Sequence, residues 1–281
     1  MIIGEIYKKE ELNILNLDAY VINVAHFSSP SSSYFTTLEA EEIIKESKKP
    51  VFLKLMPLYK DEDFNGLRNL LERMKGIKGL IFQDLGLVSL VEEILPDIEL
   101  IYDPRTFVTT KEDSLYFKNT KIHTLGLSTT LNLKELDQVL DGSDVSYMGH
   151  VYGFEEMFYS ERKHFSNYKE EYGFLNLKDK EDVYLKEETR NDFYHALEDE
   201  RGFYIFRDKK INMFDFKDHF KRCKYLFLER IFISDSEYKD AVNLFNGTIS
   251  RDEFVSIHKE KFDTGFLFRE VGLLWGNKDE A

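Results

Sequence analysis

Three features of this sequence predict an α/β chain folded as a TIM-like (β/α)8 barrel. Its first two-thirds alternate short apolar runs with amphipathic segments. In the amphipathic segments the apolar residues recur at three and four, which is the helical period. With the run near residue 225 included, the strand-like runs reach the eight that a closed barrel requires.

The strand-like runs fall at residues 2–6, 19–24, 51–56, 79–83, 99–102, 121–125, 145–151 and 225–229. Helical patterns lie between them at 38–46, 64–74, 87–95 and 133–140. Thr37 and Asp63 are the expected N-caps, and Gly76 and Gly142 stand where helices should stop. Repeated strand–helix units imply a parallel sheet with right-handed crossovers. A doubly wound open sheet has the same periodicity and remains the alternative at this level.

The alternation breaks after Tyr152. Residues 155–170 read as a charged helix. Residues 174–177, 182–186 and 203–206 read as antiparallel strands, with turns at 178–180 and 200–202. The chain is therefore expected to be one barrel domain over 1–281. Residues 153–210 would be an inserted helix and antiparallel β segment between strands seven and eight. Late helices are expected at 215–222 and 237–245, followed by a short aromatic tail.

Composition narrows the function classes. A hydrophobic fraction of 42% supports a full core, and 24 Phe and 16 Tyr make that core aromatic. The 38 basic and 52 acidic residues leave a net charge of −14, so RNA binding requires a local basic patch or a basic partner. Cys223 is the single cysteine, which excludes an internal disulfide, a zinc site of several cysteines and a cysteine-ligated iron–sulfur cluster within one chain. No cofactor is expected. The first residues show no basic region followed by a long apolar run, and no stretch approaches ~20 uncharged apolar residues. The chain reads as cytoplasmic, with no membrane partner.

Local motifs contribute little. There is no glycine-rich phosphate loop, G-x-S-x-G elbow or H-E-x-x-H helix. Ser160 with Lys163, and Ser236 with Lys239, fit S-x-x-K as chance spacings in a Lys-rich chain. Asp263-Thr264-Gly265 is one triplet where an aspartic dyad needs two, and it reads as a turn. The histidines lack metal-ligand spacing, although His26 and His150 fall near strand ends.

Barrel logic is the better filter, because chemistry on this fold sits at the C-terminal ends of strands. Polar residues there include His26, Lys54, Glu229 and Arg230. Gln83, Asp84, Tyr102, Asp103 and Arg105 stand out, since they directly follow apolar strands at adjacent barrel positions. Asp84 and Asp103 are the candidate catalytic acids. Gln83, Tyr102, Arg105, His150 and Tyr152 are the candidate ligand contacts. The plain reading of each is an ordinary rim residue.

From Tyr152 the chain reads Tyr-Gly-Phe-Glu-Glu-Met-Phe-Tyr-Ser-Glu-Arg-Lys, followed by Ser166-Asn167-Tyr168. This resembles a segment of short Gram-positive members of the collagenase-like peptidase family U32. Lys186-Glu187-Glu188-Thr189-Arg190, Leu197-Glu198-Asp199-Glu200-Arg201-Gly202 and the stretch from Asp263 to Glu270 resemble further stretches of that subgroup. The resemblance implies a TIM-barrel-like fold and two functional pictures. One is a peptidase with no assigned catalytic residues. The other is oxygen-independent hydroxylation, in quinone synthesis or in making 5-hydroxyuridine at the tRNA wobble position, with short and long members as cooperating subunits.

The sequence also departs from the family. The four cluster-binding cysteines of many members are missing. Phe227-Leu228-Glu229-Arg230-Ile231 stands where a K-I-[DE]-G segment often lies, and Phe203 replaces an expected Thr. Arg162, Lys163, Asn167, Tyr168 and Arg190 form a basic-aromatic concentration suited to an anionic small molecule or an RNA backbone. Their plain reading is a solvated helix face and a salt-bridged strand. The expectation is a subunit supporting 5-hydroxyuridine formation in tRNA beside a second U32 protein. The alternatives are a genuine collagenase-like peptidase and a non-catalytic scaffold partnering a larger U32 protein.

Overall fold

In the computed structural model, described over residues 1–141, 144–173, 183–189, 191–259 and 263–269, the chain opens with seven strands. They are β1 (Ile2–Glu5), β2 (Ala19–Ile22), β3 (Val51–Leu55), β4 (Gly79–Phe82), β5 (Glu99–Tyr102), β6 (Ile122–Gly126) and β7 (Ser146–Gly153). Helices α1 (Thr37–Glu46), α2 (Phe64–Arg73), α3 (Leu87–Ile94), α4 (Lys111–Phe117) and α5 (Leu133–Leu140) lie between them. Then come β8 (Glu156–Ser160), α6 (His164–Tyr172), β9 (Val183–Lys186), β10 (Phe193–Asp199), β11 (Gly202–Phe206) and β12 (Ile211–Asn212). Strand β13 (Tyr225–Leu228) and helices α7 (Asp235–Phe245) and α8 (Arg251–His258) complete the order.

Strands β1 to β7 pair in sequence order, β7 pairs with β13, and β13 returns to β1, all in parallel. Among the described residues this is a closed eight-stranded barrel with alternating helices. Closure settles the sheet question that periodicity leaves open. Strands β8, β11, β10 and β9 form a separate antiparallel sheet between β7 and β13 in the chain.

Two apolar layers hold the barrel. Ile3, Val21, Phe52, Ile81, Ile101, Met148 and Phe227 point inward and are buried. Their strand neighbours, such as Tyr20, Leu53, Leu80 and Tyr147, point outward against helix faces that include Ile43, Leu67 and Val91. This period of two fixes which later residues face the barrel axis.

Several local expectations are corrected. Thr36, not Thr37, caps α1: its side chain accepts from the Glu39 amide while the Glu39 carboxylate accepts from the Thr36 amide. Asp63 stands at the N-cap position of α2, as expected, but its side chain makes no cap hydrogen bond there and instead accepts from the Lys60 amide in the preceding turn. Residues 156–160 are strand, because Glu156 to Ser160 pair with β11; the helix starts only at His164. Residues 214–222 form two 3-10 turns instead of one helix. Strand β10 adds a strand that the sequence pattern does not predict. The expected strand at 174–177, its turn at 178–180 and the stop at Gly142 lie outside the described residues.

Candidate active site at the barrel mouth

The inward parity of each strand continues into its C-terminal end. Two positions after Ile3, Val21, Phe52, Ile101, Met148 and Phe227 stand Glu5, Asn23, Lys54, Asp103, His150 and Glu229. All six are buried. A polar layer therefore caps the apolar barrel interior, and its members must satisfy one another.

They do so in a continuous network. The Lys54 ammonium lies 3.0 Å from both Glu5 and Glu229. Arg105 donates to both oxygens of Glu229, Nη1 to Oε2 at 3.0 Å and Nη2 to Oε1 at 2.7 Å. His150 Nε2 meets Asp103 Oδ2 at 3.0 Å, and its Nδ1 lies 3.5 Å from Glu229. Asn23 donates to Glu5 at 2.9 Å, and Glu5 also accepts from the Arg230 amide at 2.8 Å. Arg105 takes a left-handed backbone, φ 62°, that turns its guanidinium back into the mouth.

The electrostatics follow from this pairing. Burial pushes Asp103 and Glu229 up, but His150 and Arg105 for the first, and Arg105 and Lys54 for the second, outweigh it and hold both below the usual range. Burial pushes His150 down, yet Asp103 and Glu229 carry it up to about 9. Lys54 and Arg105 are likewise raised against burial by their carboxylate partners. The carboxyls of Glu5, Asp103 and Glu229 thus face Lys54, Arg105 and His150. Such an arrangement is rigid and self-compensated.

Glu156 is the exception. It comes from β8 and is half-buried. Burial pushes its carboxyl up to about 7, with Arg105 and Lys54 opposing and Glu229 and Asp103 reinforcing. A carboxyl that changes charge near neutrality suits general acid–base work.

The antiparallel sheet that carries Glu156 is clamped over the mouth. Arg201, in the β10–β11 turn, donates to the His26 carbonyl at 2.9 Å, pairs with Asp63 at 3.0 Å and stacks over the Tyr59 ring at 5.3 Å. Asp199 accepts from Ser29, whose hydroxyl also lies 3.0 Å from that of Tyr204. His26 pairs with Glu200 at 3.0 Å.

The mouth gathers Asp103, Arg105 and His150 from the candidates, but not the others. Asp84 accepts from the Tyr59 and Gly86 amides, both at 2.8 Å, and so pins its loop. Tyr102 packs outward between Phe82 and Phe117, and Tyr152 packs outward on Phe245 and Phe254 with its hydroxyl on Glu237. Gln83 is half-buried at the end of β4. Arg162, Asn167 and Tyr168 are exposed at and along α6, where Tyr168 and Tyr172 pair with ring centroids 4.7 Å apart. Lys163 is tied to the Asp199 carbonyl. Arg190 lies outside the described residues.

Sequence reading passes over Glu5, Asn23 and Glu156, and names Lys54 and Glu229 without selecting them. The inward period of two would have found all of these but Glu156.

Among the described residues, no group of three or more His, Cys, Asp or Glu side chains is placed to hold a metal ion. Cys223 is buried, and burial pushes its thiol up to about 12. One such thiol does not fit the four-thiolate cluster of many U32 members. No helix among the described residues is long and apolar enough to cross a membrane.

Comparison with known proteins gives the following matches. The family model described as Peptidase family U32 matches residues 31–270. Among solved structures, the U32 peptidase Mk0906 aligns at TM-score 0.46 and 17% identity, covering 55% of this chain and 69% of that one. A tryptophan synthase A-subunit from Pyrococcus furiosus aligns at TM-score 0.44 and 12% identity over 88% and 96% of the two chains. N-(5'-phosphoribosyl)anthranilate isomerase from the same organism aligns at TM-score 0.40 and 19% identity over 53% and 74%. No curated protein matches the chain.

Proposed function

Because the chain belongs to peptidase family U32, we propose that it is a subunit supporting 5-hydroxyuridine formation at the tRNA wobble position, working in the cytoplasm beside a second U32 protein. The observation that carries this reading is the outer face of α6. Tyr168 and Tyr172 present paired, exposed rings there, with Arg162 exposed at the start of the helix. Bases unstacked in an RNA loop bind by stacking on such rings, with cationic side chains on the flanking phosphates. With a net charge of −14, the rest of the surface disfavours RNA and would confine it to such a patch. The barrel mouth, next to the same inserted sheet, would then hold the small molecule that reacts. Nucleoside mass spectrometry of tRNA from a strain lacking this chain tests the reading: hydroxylated wobble uridine disappears if it is right and persists unchanged if it is wrong.

A second reading, a true peptidase, is favoured by Glu156. A carboxyl near neutrality at the barrel mouth can take a proton from water as it attacks a peptide carbonyl. Purified protein would then cleave gelatin or unfolded peptide, and Glu156→Gln would abolish the cleavage. Absence of cleavage by the unaltered chain removes this reading.

A further inference from the structure

Glu156 differs from the other acids of the mouth in three respects. It is carried by the inserted sheet, not by a barrel strand. Its carboxyl makes no hydrogen bond or ion pair with a described residue, whereas those of Glu5, Asp103 and Glu229 are each held at 3.0 Å or less. The residue as a whole is half-buried where they are fully buried. The three buried acids are instead tied to Lys54, Arg105 and His150.

We propose that Glu156 is the proton-transferring residue of the barrel mouth, delivered there by the inserted sheet, and that Arg201 is the latch that keeps it in place. The ligand class is a molecule with a carbonyl or acyl oxygen. As that oxygen gains negative charge, the O–H bond of the neutral Glu156 carboxyl breaks and an O–H bond forms on the ligand. The carboxylate left behind faces Arg105 and Lys54, and return of the proton restores the acid. This inference rests on the mouth being the reacting site, which both functional readings share.

The latch follows from the sheet's connections. Strand β8 pairs with β11, and β11 with β10, so Glu156 and Arg201 belong to one hydrogen-bonded sheet. Arg201 fixes the far end of that sheet on the His26 carbonyl, Asp63 and the Tyr59 ring. With the latch released, the sheet lifts and water reaches Glu156, which lowers the cost of its charged form. The groups bearing on Glu156 are Arg105 and Asp103 beyond β5, Glu229 beyond β13, Lys54 on β3, and Tyr159 and Tyr204 on the sheet itself.

The experiment is a carboxyl 13C NMR titration of the full chain labelled at glutamate. One glutamate should titrate with its midpoint near 7, and its resonance should be missing from Glu156→Gln. In Arg201→Ala the Glu156 midpoint should fall by one pH unit or more toward the ordinary carboxylate range. Arg201→Lys, which can keep the Asp63 pair, should give a smaller fall and serves if the alanine variant does not fold. An ordinary midpoint for Glu156 in the unaltered chain overturns the proton-transfer role. A midpoint unmoved in both Arg201 variants overturns the latch. Either result leaves the tRNA reading standing, whereas an unchanged nucleoside profile overturns that reading and leaves the titration intact.

Discussion

Arg105 and Glu229, 124 residues apart in sequence, meet in a two-pronged ion pair at 2.7 and 3.0 Å above the sealed interior of the barrel. The pair joins the ends of β5 and β13 across the mouth, and Lys54 holds the same carboxylate from a third strand. A charge so enclosed is stable only while its partners remain.

Glu229→Gln should therefore be strongly destabilising, although it barely changes shape. It leaves the buried Arg105 and Lys54 short of a counter-charge, at a cost of about 3–5 kcal/mol. Urea unfolding measures this directly, and a loss below about 1 kcal/mol would contradict the pairing.

Stability should fall with rising pH on the alkaline side of neutrality. His150 has a folded pKa of about 9 against an ordinary value of 6.5, so folding favours its protonated form. That stabilisation is complete below pH 6.5 and is lost as pH rises through 9, on the order of 3 kcal/mol in all. Glu156, raised from 4.5 to about 7, acts in the same direction over its own lower window. Unfolding measured from pH 6 to 9.5 should show the decline, and His150→Gln should flatten it.

Gly153 should tolerate no side chain. Its φ is 125°, and a Cβ placed there would lie 2.9 Å from both the Glu229 Cβ and the Glu229 carbonyl oxygen. Gly153→Ala should cost on the order of 2 kcal/mol and displace Glu229 from Arg105. The measurement is unfolding together with the pH dependence just described, which should weaken as the network loosens.

Tyr168→Ala with Tyr172→Ala should separate binding from folding. Neither ring belongs to the buried core, so the double variant should still fold, as read by urea unfolding. Affinity for an anticodon stem-loop should fall by about 1–3 kcal/mol for each stacked base lost, as read by fluorescence anisotropy.

Much of the barrel was legible because its signals are local and periodic. Apolar runs such as 99–102 and the helical repeat of 133–140 become β5 and α5 with their expected limits. The site was less legible. Asp103, Arg105 and His150 stand out as polar residues at strand ends, but a strand end does not say which way a side chain faces. Asp84 and Tyr102 meet the same criterion, yet one pins a loop and the other packs outward on Phe117. Counting by two from Ile3 or Phe227 recovers Glu5 and Glu229. No such count reaches Glu156, which arrives from a separate sheet through the long-range pairing of β8 with β11. Residues 156–160 read as helix because the charged pattern of 155–170 outweighs the strand character of Met157-Phe158-Tyr159, and only the β11 partner reverses it.

Support of wobble-uridine hydroxylation by this U32 chain is read out by nucleoside mass spectrometry of tRNA from a strain lacking it, with and without complementation. 5-Hydroxyuridine should disappear from the deletion strain and return when the unaltered chain is restored. An unchanged nucleoside profile in the deletion strain would contradict it.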